Sequence, residues 1–267
     1  MFVGYVCRLC LDPNSAEARL RVSCGHWRKG EFMRYAWIAV LVLAAASPTW
    51  AADVYSCGFE TAEGYVLGPL DGQQGWLADE DVTVSQVPDA LSNPTQAMVI
   101  AADGQYDSNL YYGSECYFAD PTASYPQVTV TMDIFITHDL EADWAIGFGN
   151  ASYFVSYVYF GWLGDVTLND DDTTEGTWTP GSWMTLSVYM DFETQTALAD
   201  LDGMPLGPVA FVGAGGFDSI SFLTDDYIEV DESAMWVDNI EVTAIPEPAT
   251  MALLGFGLVG LVARRRK

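Results

Sequence analysis

The sequence predicts an all-β protein built around one β-sandwich over residues 53–243. Two observations carry that prediction. Apolar residues recur at every second position in one segment after another, which is the period of a strand with one buried face. Turn-forming clusters then separate the segments: Asp71-Gly72, Asp103-Gly104, Gly149-Asn150, Asn169 to Asp172, Asp202-Gly203 and Gly213 to Gly216. No long stretch has a helical period. A segment of roughly 190 residues is enough for one sandwich with a sizeable core.

The elements follow in order. Strands are expected at 82–87 and 96–101. Val128, Val130, Met132, Ile134 and Ile136 then alternate with Thr129, Thr131, Asp133 and Phe135. Further strands are expected at 143–149 and 153–162. Met184, Leu186, Val188 and Met190 alternate with Trp183, Thr185, Ser187 and Tyr189. Strands at 196–202, 208–212 and 218–224 come next. Trp236, Asp238, Ile240 and Val242 are expected to form one face of a last strand. Many short strands with frequent turns point to a sandwich.

The C-terminus has three parts in order. Pro246-Glu247-Pro248 is followed by an apolar run from Met251 to Ala263 and by Arg264-Arg265-Arg266-Lys267. The prolines remove backbone donors and disfavour helix, so this segment is extended and open to a processing enzyme. The apolar run is 13 residues, or roughly 20 Å as a helix. That is short for a hydrocarbon core of roughly 30 Å. The basic cluster snorkels and stays on the cytoplasmic side. The unit 244–267 resembles the PEP-CTERM sorting signal of Gram-negative bacteria that carry an exosortase and make extracellular polysaccharide. The resemblance implies an exported chain with a transient membrane anchor, processed by exosortase and delivered to the cell surface or extracellular matrix. It assigns Pro246, Glu247 and Pro248 to processing and Arg264, Arg265 and Arg266 to the cytoplasmic anchor.

The other end reads as a signal peptide over 33–52. Arg34 supplies its charge, Ala36 to Ala46 its apolar core, and Ala51 or Ala52 its small-residue cleavage position. The Sec export machinery is the implied partner. Residues 1–32 lie upstream of this signal. They carry Cys7, Cys10, Cys24 and His26, which superficially match a four-ligand zinc site. A misassigned start explains this segment more simply.

Charge divides the chain in the same way. The ten basic residues are Arg8, Arg19, Arg21, Arg28, Lys29, Arg34 and the terminal four. Between Tyr35 and Ala263 there is no Lys or Arg, whereas nearly all of the 37 acidic residues lie there. Such a domain repels nucleic acid and anionic membrane. It attracts divalent cations, whose oxygen ligands are carboxylates. Asp170 and Asp172, in the turn from Asn169, are candidate calcium ligands, although their spacing is not that of an EF-hand.

Cys57 and Cys116 are the two cysteines of the exported part. In an oxidising compartment the expectation is a disulfide. Closing a loop of about 60 residues, it would stabilise by about 4 kcal/mol. The alternative is a pair of buried thiols.

Cys57-Gly-Phe59-Glu60, Gly72-Gln-Gln-Gly75-Trp76, Gly181-Ser-Trp183, Leu201-Asp-Gly-Met-Pro-Leu206 and Trp236-Val-Asp-Asn-Ile240 together resemble a concanavalin A-like or laminin G-like jelly roll. Sandwiches of that type often hold a structural calcium near paired termini, and Glu60 and Asp238 match that placement. Retaining β-glucanases of the fold carry three acids on one strand. The nearest run here, Glu229-Val-Asp-Glu232, puts its third acid beside Asp231 on the wrong face. The catalytic residues therefore do not carry over. His138 lacks a placed nucleophile. The sequence-level reading is a non-catalytic structural or adhesive protein, with polysaccharide contacts at Tyr157, Tyr159 and Trp162. A secreted glycan-active hydrolase is the alternative.

Overall fold

The computed structural model describes residues 5–11, 20–26, 51–88, 95–101, 112–137, 142–150, 152–171, 175–226 and 233–245. Two compact units divide the chain, Trp50–Glu247 and a unit made of Met1–Thr49 with Pro248–Lys267. In the latter, β1 (Tyr5–Leu11) and β2 (Leu20–His26) form an antiparallel hairpin with Cys7 opposite Cys24.

The larger unit is the expected antiparallel β-sandwich. Among the described residues one sheet has nine strands, eight of them along its path. In spatial order they are β16 (Met204–Ala210), β15 (Thr196–Leu201), β14 (Trp183–Asp191), β9 (Gln127–Ile136), β18 (Ala234–Ile245), β7 (Gln96–Ala101), β6 (Val82–Gln86) and β4 (Gly68–Pro69), with β3 (Ala52–Cys57) beside β18. The other has seven: β13 (Gly176–Thr177), β12 (Asp165–Leu168), β11 (Tyr153–Phe160), β10 (Ala142–Asn150), β17 (Ser219–Asp226), β8 (Tyr112–Tyr117) and β5 (Leu77–Ala78). The predicted alternation sets the core. Val128, Val130, Met132, Ile134 and Ile136 of β9 are buried, as are Met184, Leu186, Val188 and Met190 of β14. Trp144, Ile146, Phe148, Val158, Phe160, Ile220 and Phe222 of the seven-stranded sheet join them in one cluster. Each such side chain contributes about 1.5–3 kcal/mol on leaving water.

Most predicted strands stand within a residue or two of their expected bounds. Asp202 and Gly203 form the expected two-residue hairpin turn, both with positive φ (51° and 84°), and Leu201 lies opposite Met204. β16 begins before the predicted 208. β8 and β12 were not expected. Both are short, and β8 reads Tyr-Gly-Ser-Glu-Cys-Tyr, with no β-branched residue to mark it.

The last strand corrects the sequence pattern. Trp236, Asp238, Ile240 and Val242 do not share a face. Met235 and Val237 are buried before Asn239, and Ile240, Val242 and Ala244 after it. One extra residue is inserted between Asp238 and Glu241 relative to β9. Asn239 takes φ 52°, and its side-chain amide donates to Asp133 Oδ2 at 2.9 Å. The bulge shifts the alternation by one, so the strand keeps an apolar inner face throughout.

Candidate functional site

The seven-stranded sheet buries one face and leaves a groove on the other. Strand alternation sends Ile146, Phe148, Ile220 and Phe222 into the core, so their sequence neighbours point outward. Register aligns those neighbours in rows. Tyr157, Gly147, Ser221, Glu115 and Leu77 stand in a single row across β11, β10, β17, β8 and β5. On one side of it Phe154, Gly149, Ser219 and Tyr117 form a second row. On the other, Tyr159, Ala145, Leu223 and Gly113 form a third. The central strands therefore present glycine, alanine and serine with one leucine, Leu223, while aromatics flank them: Phe154, Tyr157 and Tyr159 on β11 and Tyr117 on β8. The result is a groove of about 360 Å³, lined by Leu77, Glu115, Asn150, Tyr153, Phe154 and Ser221 among others.

Gly147 allows the groove its shape. A Cβ there would lie 2.5 Å from Cε1 of Phe154, so the ring occupies the space that any other residue would fill. Tyr153, 68% exposed, and Leu77, 57% exposed, add apolar surface at the rim. The Asn150 side-chain oxygen accepts from the backbone N–H groups of Ser152 (3.0 Å) and Tyr153 (3.2 Å), fixing the turn that carries Tyr153 and Phe154.

Glu115 is the charged group lining this groove. Ser221 Oγ donates to its Oε1 at 3.1 Å, and the Tyr117 hydroxyl donates to its Oε2. That hydrogen bond, with burial and the carboxylate charge adding to it, pushes the Tyr117 phenol up to about 12. The Asp218 carboxyl is raised by burial first and then by Asp120 and Glu115. The Ser219 and Thr167 hydroxyls are buried and find no hydrogen-bond partner among the described residues.

Of the residues expected to contact a glycan, Tyr157 and Tyr159 lie on this outer face, both half-buried. The Tyr157 hydroxyl donates to Asp170 Oδ2 at 2.7 Å. Trp162 is separate from them. β11 ends at Phe160, and Trp162 belongs to the turn closed by the Gly164 N–H on the Gly161 carbonyl (2.9 Å), where it is 40% exposed. Sequence reasoning missed Glu115, Tyr117 and Ser221; Tyr153-Phe154 was legible as an aromatic cluster. The glycines at 113, 147 and 149 were the legible signal, because glycine in a strand interior marks close approach.

Three of the four expected calcium ligands, Glu60, Asp238 and Asp170, accept hydrogen bonds from the protein. Glu60 Oε1 accepts from the Gln96 N–H at 3.2 Å, and Asp238 Oδ2 accepts from the Thr95 hydroxyl at 2.9 Å. The two carboxylates thus converge on adjacent residues at the start of β7. Asp170 is bonded to Tyr157 as described, and Asp172 lies outside the described residues. Among the described residues, no group of three or more acids, histidines or cysteines is gathered to hold a metal ion.

The expected disulfide is not formed; Cys57 and Cys116 are buried thiols. They belong to opposite sheets, on β3 and β8. Cys57 Sγ donates to the Tyr65 hydroxyl at 3.1 Å, and that oxygen also accepts from Trp76 Nε1 at 2.9 Å. Burial raises both thiols, Cys116 to about 12.

Ala51 and Ala52 flank the start of β3, so a cut after Ala51 leaves that strand whole. Pro246, Glu247, Pro248, Arg264, Arg265 and Arg266 lie outside the described residues, as does His138.

Comparison with known proteins agrees with the tail. The PEP-CTERM protein-sorting motif matches residues 244–267. It marks an exported bacterial chain that passes through a membrane-anchored intermediate and exosortase processing. No curated protein matches the chain. Among solved structures, an endo-beta-1,4-glucuronan lyase from the fungus Trichoderma reesei aligns with TM-score 0.49 at 11% identity, over 72% of this chain and 96% of that one. SCLam, a non-specific endo-beta-1,3(4)-glucanase from family GH16, aligns with TM-score 0.48 at 15% identity, over 74% and 92%. A sialidase aligns with TM-score 0.47 at 10% identity, and this chain spans 17% of its length. The sandwich assignment stands on the strand pairing described above.

Proposed function

We propose that this is a non-catalytic, exosortase-processed protein of the cell surface or extracellular matrix of a Gram-negative bacterium, and that the groove over β17, β8 and β5 binds a neutral polysaccharide. The observation that carries the reading is the groove itself. A floor that includes Gly113, Ser114 and Ser221 admits a flat ring, and Phe154 and Tyr153 offer apolar faces to the C–H side of a sugar. Glu115 is an acceptor for sugar hydroxyls. Charge sets the ligand class. No Lys or Arg lies between Tyr35 and Ala263, so the domain has no such cation to match a uronate.

The non-catalytic reading rests on Glu115. It is the one carboxyl among the groove's lining residues, whereas glycoside hydrolysis needs a second carboxyl group across the scissile bond. A hydrolase is the second reading, favoured by the raised carboxyl of Asp218 near Glu115. Affinity electrophoresis of the mature protein through gels containing neutral β-glucan or a uronic acid polymer tests the proposal. Retardation by the neutral polymer, abolished in Phe154→Ala, supports it. Equal mobility in all gels removes it. Release of reducing ends from the neutral polymer, lost in Asp218→Asn, replaces it with the hydrolase.

A further inference from the structure

The hydrogen bonds around Glu115 have a direction. Ser221 Oγ donates to its Oε1 at 3.1 Å, and the Tyr117 hydroxyl donates to its Oε2. Both protons are thereby turned toward the carboxylate and away from a ligand. Ser221 and Tyr117 have only lone pairs left to offer. So has Glu115, because a carboxylate has about four acceptor sites and two are used. These three side chains therefore accept from a ligand and donate nothing to it.

The charge of Glu115 is held but not matched. Both its donors are neutral hydroxyls, and residues 35–263 include no Lys or Arg. Burial first, and then the charges of Asp120 and Glu115, raise the Asp218 carboxyl. Further acids thus stand close enough to Glu115 to deepen the negative field there. A sugar hydroxyl would satisfy the free acceptor sites and leave the charge. An ammonium group satisfies both, through charge-assisted bonds about twice as strong as neutral ones. A calcium ion takes about six to eight oxygen ligands, whereas the groove lining holds one carboxylate.

Distance separates this contact from the aromatic one. Glu115 is on β8 and Phe154 on β11, three steps apart in the sheet order. At the usual strand spacing that is about 14 Å, longer than one sugar ring. The ring stacked on Phe154 and the ring over Glu115 are therefore different units of one chain. Leu77 stands beside Glu115 in the same row and offers that second unit an apolar flank.

We infer that the groove selects a polymer in which the unit over Glu115 is a hexosamine with a free amine, its ammonium bonded to the Glu115 carboxylate, in a chain that is otherwise uncharged. This rests on the groove reading under Proposed function and adds to it the chemical class of one unit.

The test compares two ligands that differ only at nitrogen, a short β-linked glucosamine oligomer and the same oligomer after N-acetylation. Each is titrated into the mature protein at about 0.15 M salt, where exposed charges more than about 8 Å away are largely screened. The amine form is expected to bind about ten-fold more tightly, the worth of one hydrogen bond to a charged group. Glu115→Gln keeps the shape and removes the charge, and is expected to bring the two affinities together. Asp53→Asn removes one charge from an exposed position on β3 of the other sheet, and should leave the ratio unchanged. Equal affinities in the unaltered protein, or a preference for the amine that survives Glu115→Gln, overturns the inference and leaves the groove reading in place. The groove reading fails separately, and takes this inference with it, when Phe154→Ala leaves the binding of both oligomers and of neutral β-glucan unchanged, or when none of the three binds.

Discussion

The Phe154 ring lies over Gly147, at a place where a Cβ would approach its Cε1 to 2.5 Å. These residues are on adjacent strands, β11 and β10, and Gly147 is held between Tyr157 and Ser221 by register. The groove thus depends on the absence of one side chain as much as on the presence of another.

Gly147→Val is expected to displace the Phe154 ring and fill the floor. Overpacking of this kind costs about 1–3 kcal/mol. Urea unfolding of the variant checks the cost, and affinity electrophoresis checks the groove. Binding to the neutral polymer should fall at least ten-fold while the sandwich remains folded. Unchanged affinity would place the ligand elsewhere.

Glu115→Gln is expected to act on Tyr117. The carboxylate holds the phenol protonated up to about 12 in the folded protein. An unfolded tyrosine titrates near 10. The folded state therefore binds the extra proton between those values. The associated stability is fully present below about pH 10 and is lost as pH rises toward 12. In Glu115→Gln this window should shrink, with Tyr117 ionising nearer its ordinary value. Phenolate absorbance against pH, compared with a Tyr117→Phe control, reads the change; an identical titration in both proteins would contradict the hydrogen bond.

Two thiols are expected on unfolding. Native protein at mild alkaline pH should resist alkylation, because Cys57 and Cys116 are buried and burial raises both thiols. Denatured, non-reduced protein should take up two alkyl groups by intact mass. Uptake of none would mean that the cysteines are bridged.

Asp238→Ala is expected to destabilise the sandwich by about 1–3 kcal/mol, the range for stranding a buried hydrogen-bonding group. The carboxylate is 1% exposed and accepts from the Thr95 hydroxyl and the Asn239 N–H. Asp238→Asn keeps one acceptor and should lose less. Chemical denaturation of the three proteins orders them, and equal midpoints would refute the role.

EDTA is expected to leave the melting temperature of the mature domain within about 2 °C. Glu60 and Asp238 already accept protein hydrogen bonds, and Asp170 accepts from Tyr157. A fall of several degrees, restored by calcium, would instead put a structural cation on these acids. On typical unfolding entropies such a fall corresponds to about 1 kcal/mol or more.

By itself the sequence determined the strands of strong alternation, the Asp202-Gly203 hairpin, the sorting tail and the uniformly anionic middle. Those features are local: period, turn chemistry and charge are written in neighbouring residues. It did not determine which face of β18 is buried, because a single left-handed residue, Asn239, moves every later side chain across the sheet. Nor did it show the groove. Glu115, Ser221, Gly147 and Phe154 come from four strands separated by up to 106 positions, as Glu115 and Ser221 are, and register alone brings them together. The pairing of β3 with β18, with Ala52 opposite Ala244, was equally hidden, because strand pairing between chain ends depends on closing the whole sheet. Tertiary structure decided these points because it fixes which distant residues lie in one row, and no local pattern carries that information.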